Sequence, residues 1–121
     1  MSNEWSDEDL YQAVGTITRQ FPLLKCHECV IAIRSWLSRR QVPSKIWKIS
    51  TKNDDEDFIV SDRLEQQGIT DSMTDNGVHY GVEVRGQIFD NLSPEGMALE
   101  DWVQDFHSIS DELEITCFDD Y

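Results

Sequence analysis

KCHECVIAIRSWL, residues 25–37, reads as an amphipathic helix with two cysteines in its opening turns. Cys26, Cys29, Val30, Ile33 and Leu37 recur at steps of three and four, so they fall on one helical stripe. Ala32 and Trp36 widen the stripe, while Glu28, Arg34, Arg39 and Arg40 lie off it. A helix that begins near Cys26 leaves this thiol in the first turn. There, unpaired N–H groups and the positive end of the helix dipole favour thiolate over thiol. Cys29 lies one turn deeper, beside Ile33, where a thiol behaves as a small buried hydrophobe. The pattern predicts one cysteine placed for reactivity and one for packing.

The segments on either side define the ends of this helix. Ser6 is an N-cap for an earlier helix, with Asp7, Glu8 and Asp9 in its first turn and Leu10, Val14, Ile17 and Phe21 along one face, running to about Gln20. Pro22 stops it and redirects the chain, and Pro43 follows the end of the cysteine helix near Arg40. KIWKIST, residues 45–51, reads as a short strand. Residues 58–67 are expected to form a short helix closed by Gly68, and residues 97–106 a further helix bearing Leu99, Trp102, Val103 and Phe106. Residues 113–118, in the tail, are expected to add an edge strand.

The most regular alternation is in VHYGVEV, residues 78–84, where Val78, Tyr80, Val82 and Val84 face one way and His79, Gly81 and Glu83 the other. If Arg85 and Gly86 form a two-residue turn, Val84 faces Gln87, Gly81 faces Asp90 and Tyr80 faces Asn91. Opposed residues share a face, so Asp90 projects to the side of His79, diagonally across the pair. Gly81 clears room for another element to approach that face. A helix that presents Cys26 there completes a nucleophile, a base and an orienting acid.

Composition narrows the function. The chain has 121 residues, enough for one domain with its own core, and 24 acidic against 10 basic side chains give a net charge of −14. This charge argues against nucleic acid and anionic membrane as partners, because Lys and Arg carry those contacts. Three cysteines cannot close into a complete disulfide framework, which fits a reducing compartment. The opening MSNEWSDEDL has neither a basic nor an apolar leader region, and no apolar run approaches membrane-spanning length. The expectation is a cytoplasmic location where the chain is made.

The helix-borne KCHEC, then GVHYGVEVRGQIFDN at residues 77–91, then Pro94, Glu95 and Gly96 followed by Glu100, Asp101 and Trp102, resembles the bacterial papain-fold toxin domains, the second of those families. These are similar in layout to papain-like and transglutaminase-like cysteine enzymes, and the resemblance covers about residues 20–106. Carried over residue by residue, it implies Cys26 as nucleophile, His79 as base and Asp90 as orienting acid. Gln20 lies six residues before Cys26, the offset of an oxyanion-hole glutamine. The sequence departs from the pattern at Lys25, where some relatives carry a polar amide. Papain itself uses the later cysteine of its pair, which leaves Cys29 as the alternative nucleophile.

The expected fold is α+β and papain-like: a single domain over residues 1–121 whose N-terminal helices pack on one side of a small antiparallel sheet, the Cys26 helix against the hairpin of His79 and Asp90. The expected activity is acyl transfer at an amide (protease, glutamine deamidase or transglutaminase) on a protein or peptide substrate. No metal or cofactor is called for, an immunity protein is a possible partner, and a catalytically silent papain-like binding module is the alternative. Two further rivals use the same residues, and a third reading falls on acidic loops. A zinc site from Cys26, His27, Cys29 and Cys117 with His79 or His107 lacks a second knuckle. A thioredoxin-like site lacks the preceding strand. Calcium loops at residues 52–57 or at Asp71 and Asp75 lack the required ligand offsets. His107 reads as a charge partner at the end of the last helix.

Overall fold

The first helix starts where its cap chemistry places it. Ser6 Oγ accepts the Asp9 N–H at 3.1 Å, and Asp7, Glu8 and Asp9 fill the first turn of α1 (Asp7–Thr18). The computed structural model describes residues 5–22, 24–52, 57–69, 72, 74, 76–108, 110 and 112–118. α2 (Cys26–Arg39) buries Cys26, Cys29, Val30, Ile33 and Leu37, the stripe that the spacing predicts. It ends with Gln41 at a φ of +59° and the Val42 N–H returning to the Leu37 carbonyl at 3.0 Å.

Among the described residues six strands follow α1 and α2: β1 (Lys45–Thr51), β2 (Val60–Ser61), β3 (Val78–Val84), β4 (Gln87–Phe89), β5 (Phe106–His107) and β6 (Leu113–Phe118). Four of them form an antiparallel sheet in the order β4-β3-β1-β6, with β6 at an edge, and β2 pairs with β5 separately. Arg85 and Gly86 both have positive φ, +48° and +83°, as a two-residue type I′ turn requires. Three contacts hold Arg85 in that unusual conformation. Tyr11 Oη donates to its carbonyl at 2.5 Å, and its Nη1 donates to the Trp5 carbonyl at 2.6 Å and to Asp7 at 3.0 Å. The resulting register pairs Val84 with Gln87, Glu83 with Ile88 and Val82 with Phe89.

This register separates two apolar layers. Ile46, Val82, Val84 and Phe89 pack against Leu10 and Val14 of α1 and against Cys29, Val30, Ile33 and Leu37 of α2. Ile49 and Ile88, on the other face, pack with Ile59, Trp102 and Phe106. The N-terminal helices therefore cover one side of the sheet, as expected. The second side is covered as well, by the short helix α4 (Leu99–Gln104) and the β2–β5 pair.

Two segments differ from the sequence expectation because tertiary pairing takes precedence over local propensity. Of residues 58–67, only α3 (Asp62–Gln66) is helical; before it Val60 and Ser61 are extended against β5, and the Asp62 N–H goes to the Asp105 carbonyl at 2.9 Å. Gly68 closes α3 with a φ of +86°. Of residues 97–106, the helix keeps only those of α4. Met97 instead exchanges both backbone hydrogen bonds with Ile88, at 2.7 and 2.9 Å, and Phe106 begins β5. His107 therefore lies on a strand rather than at a helix end, with Nε2 2.9 Å from Asp62 Oδ2. Asp54, Asp55, Glu56, Asp71 and Asp75, on which the calcium alternatives turned, lie outside the described residues. Among the described residues no helix is long and apolar enough to cross a membrane.

α1 meets the loop after β4 at Gly15, where an added Cβ would sit 2.2 Å from the Pro94 carbonyl oxygen. In an open helix, Gly→Ala stabilises by up to ~1 kcal/mol. Here the clash is with backbone, so the sign reverses. Gly15→Ala is expected to lower the unfolding free energy by about 1–3 kcal/mol, the range for overpacking. Urea denaturation checks it, and a stabilised variant would contradict the close packing of α1 on that loop.

Candidate active site

The start of α2 is built from backbone rather than from a capping side chain. Lys25 supplies no side-chain cap; its N–H bonds to the Pro22 carbonyl at 3.1 Å, and the first helical bond runs from Cys29 N–H to Lys25 at 3.0 Å. Leu24, just before it, has a φ of +75°, a left-handed conformation that costs a branched residue energy and is common beside functional sites. Cys26 follows with 7% of its surface exposed, and its thiol lies 4.0 Å from the Val78 carbonyl.

That carbonyl is accessible because β4 is short. Its pairing with β3 stops at Val82 and Phe89, so residues 78–81 have no β4 partner. The opening turn of α2 lies beside this unpaired edge. The body of α2 packs on the valine side of the sheet, whereas His79 and Gly81 alternate to the other side. Cys26 thus meets His79 around the edge of β3, not from above its face. The element for which Gly81 clears room is α4: a Cβ there would lie 2.8 Å from the Trp102 ring.

His79 and Asp90, both with no exposed surface, come together as the hairpin parity predicts, with Nε2 and Oδ2 2.7 Å apart. The Trp102 Nε1–H donates to the same oxygen at 2.8 Å, and the Leu92 N–H donates to Oδ1 at 2.8 Å. Phe106 and Trp102 flank the imidazole, with ring centroids 5.0 and 5.9 Å away. Burial by itself would raise the Asp90 pKa. The hydrogen bond and charge of His79, with the hydrogen bonds of Trp102 and Ser93, outweigh burial and hold it at about 2. Burial would likewise lower His79. The hydrogen bond and charge of Asp90, with the nearby Cys26 thiol, raise it from 6.5 to about 9. An ionised Asp90 makes Nε2 a donor, which leaves Nδ1, buried and without a hydrogen-bond partner, as the nitrogen for the thiol.

Cys26 opens into a cleft of roughly 430 Å³ walled by Lys25, His27, Glu28, Thr74, Asn76 and Tyr80. The walls are mainly polar. The His27 and Tyr80 rings meet at a tilt with centroids 5.7 Å apart, and Asn76 Oδ1 accepts the Val78 N–H at 3.1 Å. The other expected site residues lie elsewhere. Cys29 is fully buried in the α1–α2 core, and burial, followed by the charges of Asp90 and Cys26, pushes its thiol up to about 12. Gln20 is exposed in the turn after α1 and does not line the cleft. Cys117 is an exposed thiol on β6. Among the described residues no three His, Cys, Asp or Glu side chains gather as metal ligands would. Trp102 as a donor to Asp90 was not foreseen. Its helical spacing signals only burial, and nothing local indicates where an indole N–H points.

A family model described as papain fold toxin 2 matches residues 9–107. No curated protein and no solved structure matches the chain.

The shifts of His79 and Asp90 predict the pH dependence of stability. His79 holds its proton more tightly when folded, so its contribution is full below 6.5 and is lost as pH rises toward about 9. Asp90 holds its proton less tightly, so its contribution is full above 3.8 and is lost as pH falls toward about 2. Urea unfolding of the wild type should lose stability between pH 6.5 and 9, and His79→Gln should show a much smaller slope there. Parallel curves would contradict the buried ion pair.

Proposed function

The chain belongs to the papain fold toxin 2 family, and on that premise we propose that it is a cysteine enzyme of papain-like type acting on amide bonds through Cys26, His79 and Asp90. One observation carries this: the buried sequence of contacts from Asp90 to His79 Nε2, with Nδ1 left to the Cys26 thiol at the floor of a polar cleft. Asp90 stabilises the imidazolium that forms when His79 takes the Cys26 thiol proton, and the sulfur then attacks carbonyl carbon.

In the first half-reaction Cys26 Sγ bonds to the carbonyl carbon of the substrate amide. The tetrahedral oxyanion meets the N–H groups of the uncapped first turn of α2, among them that of Cys26 itself. As the C–N bond breaks, His79 gives its Nδ1 proton to the leaving nitrogen, so ammonia or an amine departs and a thioester remains. In the second, neutral His79 takes a proton from water or an incoming amine, and that nucleophile displaces Sγ as thiolate. Asp90 stays ionised throughout and keeps the imidazole turned toward the thiol. Cys29, whose thiol stays protonated, serves packing. The polar walls fit a protein or peptide substrate that presents a carboxamide.

Iodoacetamide at pH 6.5 should modify Cys26 well before Cys29 or Cys117, read by peptide mass. A panel of glutamine-like and peptide-like electrophiles should leave one adduct that Cys26→Ser abolishes. Cys29→Ala should keep the adduct while losing about 1 kcal/mol of stability, the scale of a small core truncation. Equal labelling of all three thiols, or loss of the adduct in a folded Cys29→Ala protein, would overturn the assignment.

A further inference from the structure

Asp90 is held by its loop, and the loop is held in turn by a side chain far away in sequence. Arg63, on α3, extends its guanidinium to the Leu92 carbonyl at 3.4 Å and to Ser93 Oγ at 2.9 Å. Its Nε donates to Asp105 Oδ2 at 3.0 Å, and its backbone N–H donates to Asp105 Oδ1 at 2.9 Å. Ser61 Oγ donates to the same carboxylate, which is almost fully buried. Arg63 is therefore fixed from behind by Asp105 and grips the loop with the two ends of its fork, a geometry that lysine lacks.

The grip falls on the two residues that serve Asp90. The Leu92 N–H donates to Asp90 Oδ1, and the Ser93 N–H returns to the Asp90 carbonyl at 3.1 Å. With a lone pair of Ser93 Oγ committed to the guanidinium, its one proton turns to Met97 Sδ at 3.6 Å. Next to Asp90, Asn91 Nδ2 donates to the Pro22 carbonyl at 2.9 Å, just ahead of the turn that opens α2. The same four-residue loop thus supports the acid on one side and the nucleophile's helix on the other.

We infer that Arg63 is a positioning residue: through Leu92 and Ser93 it fixes the 90–93 loop, and with it the Asp90 carboxylate against His79 and the start of α2 against β3. This role rests on the assignment of Cys26, His79 and Asp90. The competing explanation is a structural ion pair that fastens α3 to β5. With Arg63 one-third exposed, such a pair adds little stability and would leave the reactivity of Cys26 untouched.

The test is the rate of Cys26 alkylation by iodoacetamide across pH 5 to 9.5 on the full chain, with melting temperatures in parallel. The proteins are wild type, Asp90→Asn, Arg63→Ala, Arg63→Lys and Val103→Ala, the last a destabilised control outside the loop. Arg63→Ala should slow labelling at pH 6.5 about 10-fold, the lower end of what losing a hydrogen-bonded support of a functional side chain costs. Its pH profile should move toward that of Asp90→Asn. Added methylguanidinium should restore it, Arg63→Lys should recover it only in part, and Val103→Ala should keep the wild-type profile. If Arg63→Ala does not fold, Arg63→Lys and Arg63→Gln carry the same comparison. A wild-type profile in the Arg63 variants, beside an altered one in Asp90→Asn, overturns the role of Arg63 alone. Superimposable profiles for every variant, Asp90→Asn included, overturn the triad beneath it.

Discussion

A carboxylate with no exposed surface destabilises a fold by several kcal/mol unless every lone pair it turns inward finds a donor. Asp90 meets that condition from three separate parts of the chain: His79 on β3, Trp102 on α4 and the Leu92 backbone in its own loop. Each donor requires something else of the structure. Trp102 reaches Asp90 because residue 81 is glycine, and the loop keeps its shape because Arg63, itself held by Asp105, grips Leu92 and Ser93. The second face of the sheet is in this sense assembled around one charge. Removing a single partner from such an arrangement costs more than the pair itself contributes, because the charge is left buried without compensation.

The same physics separates the three thiols. Cys26 and Cys29 share a helix and lie three residues apart, yet one opens on the cleft and the other is sealed between α1 and α2. Cys117 is exposed on the edge strand β6, separated from β3 by β1. Burial raises the Cys29 thiol out of the range in which it could act as a nucleophile near neutral pH. Position along the helix therefore separates the candidate nucleophile Cys26 from Cys29.

What the sequence revealed of this arrangement was local. The stripe of α2 follows from a 3.6-residue period, and the shared side of His79 and Asp90 follows from a two-residue turn at Arg85 and Gly86. One extra loop residue would have broken that parity. What it concealed was long-range. Nothing near Cys26 indicates that α2 covers the valine side, so the expected approach over the His79 face gave way to one around an edge left open by the short β4. The pairings of Ile88 with Met97 and of Val60 with His107 draw Met97 and Val60 out of segments whose local composition favoured helix. Arg63 and Ser93 carry no motif, the motif that includes Trp102 does not say where its indole N–H points, and the roles of all three exist only once the fold has brought them to the Asp90 loop. The match to the papain fold toxin 2 family, over residues 9–107, runs from within α1 through β5 and stops before β6.

The central claim is that Asp90, His79 and Cys26 behave as one coupled unit, and the direct measurement is the ¹⁵N titration of the His79 imidazole by NMR in wild type and Cys26→Ser. Coupling predicts a wild-type midpoint raised from 6.5 toward about 9, with the Nε2 proton retained above it. The midpoint should fall when the thiol is replaced, because one of the groups that stabilise the imidazolium has gone. A histidine that titrates near 6.5 in both proteins would show that the three side chains are neighbours without being coupled, and would contradict the account.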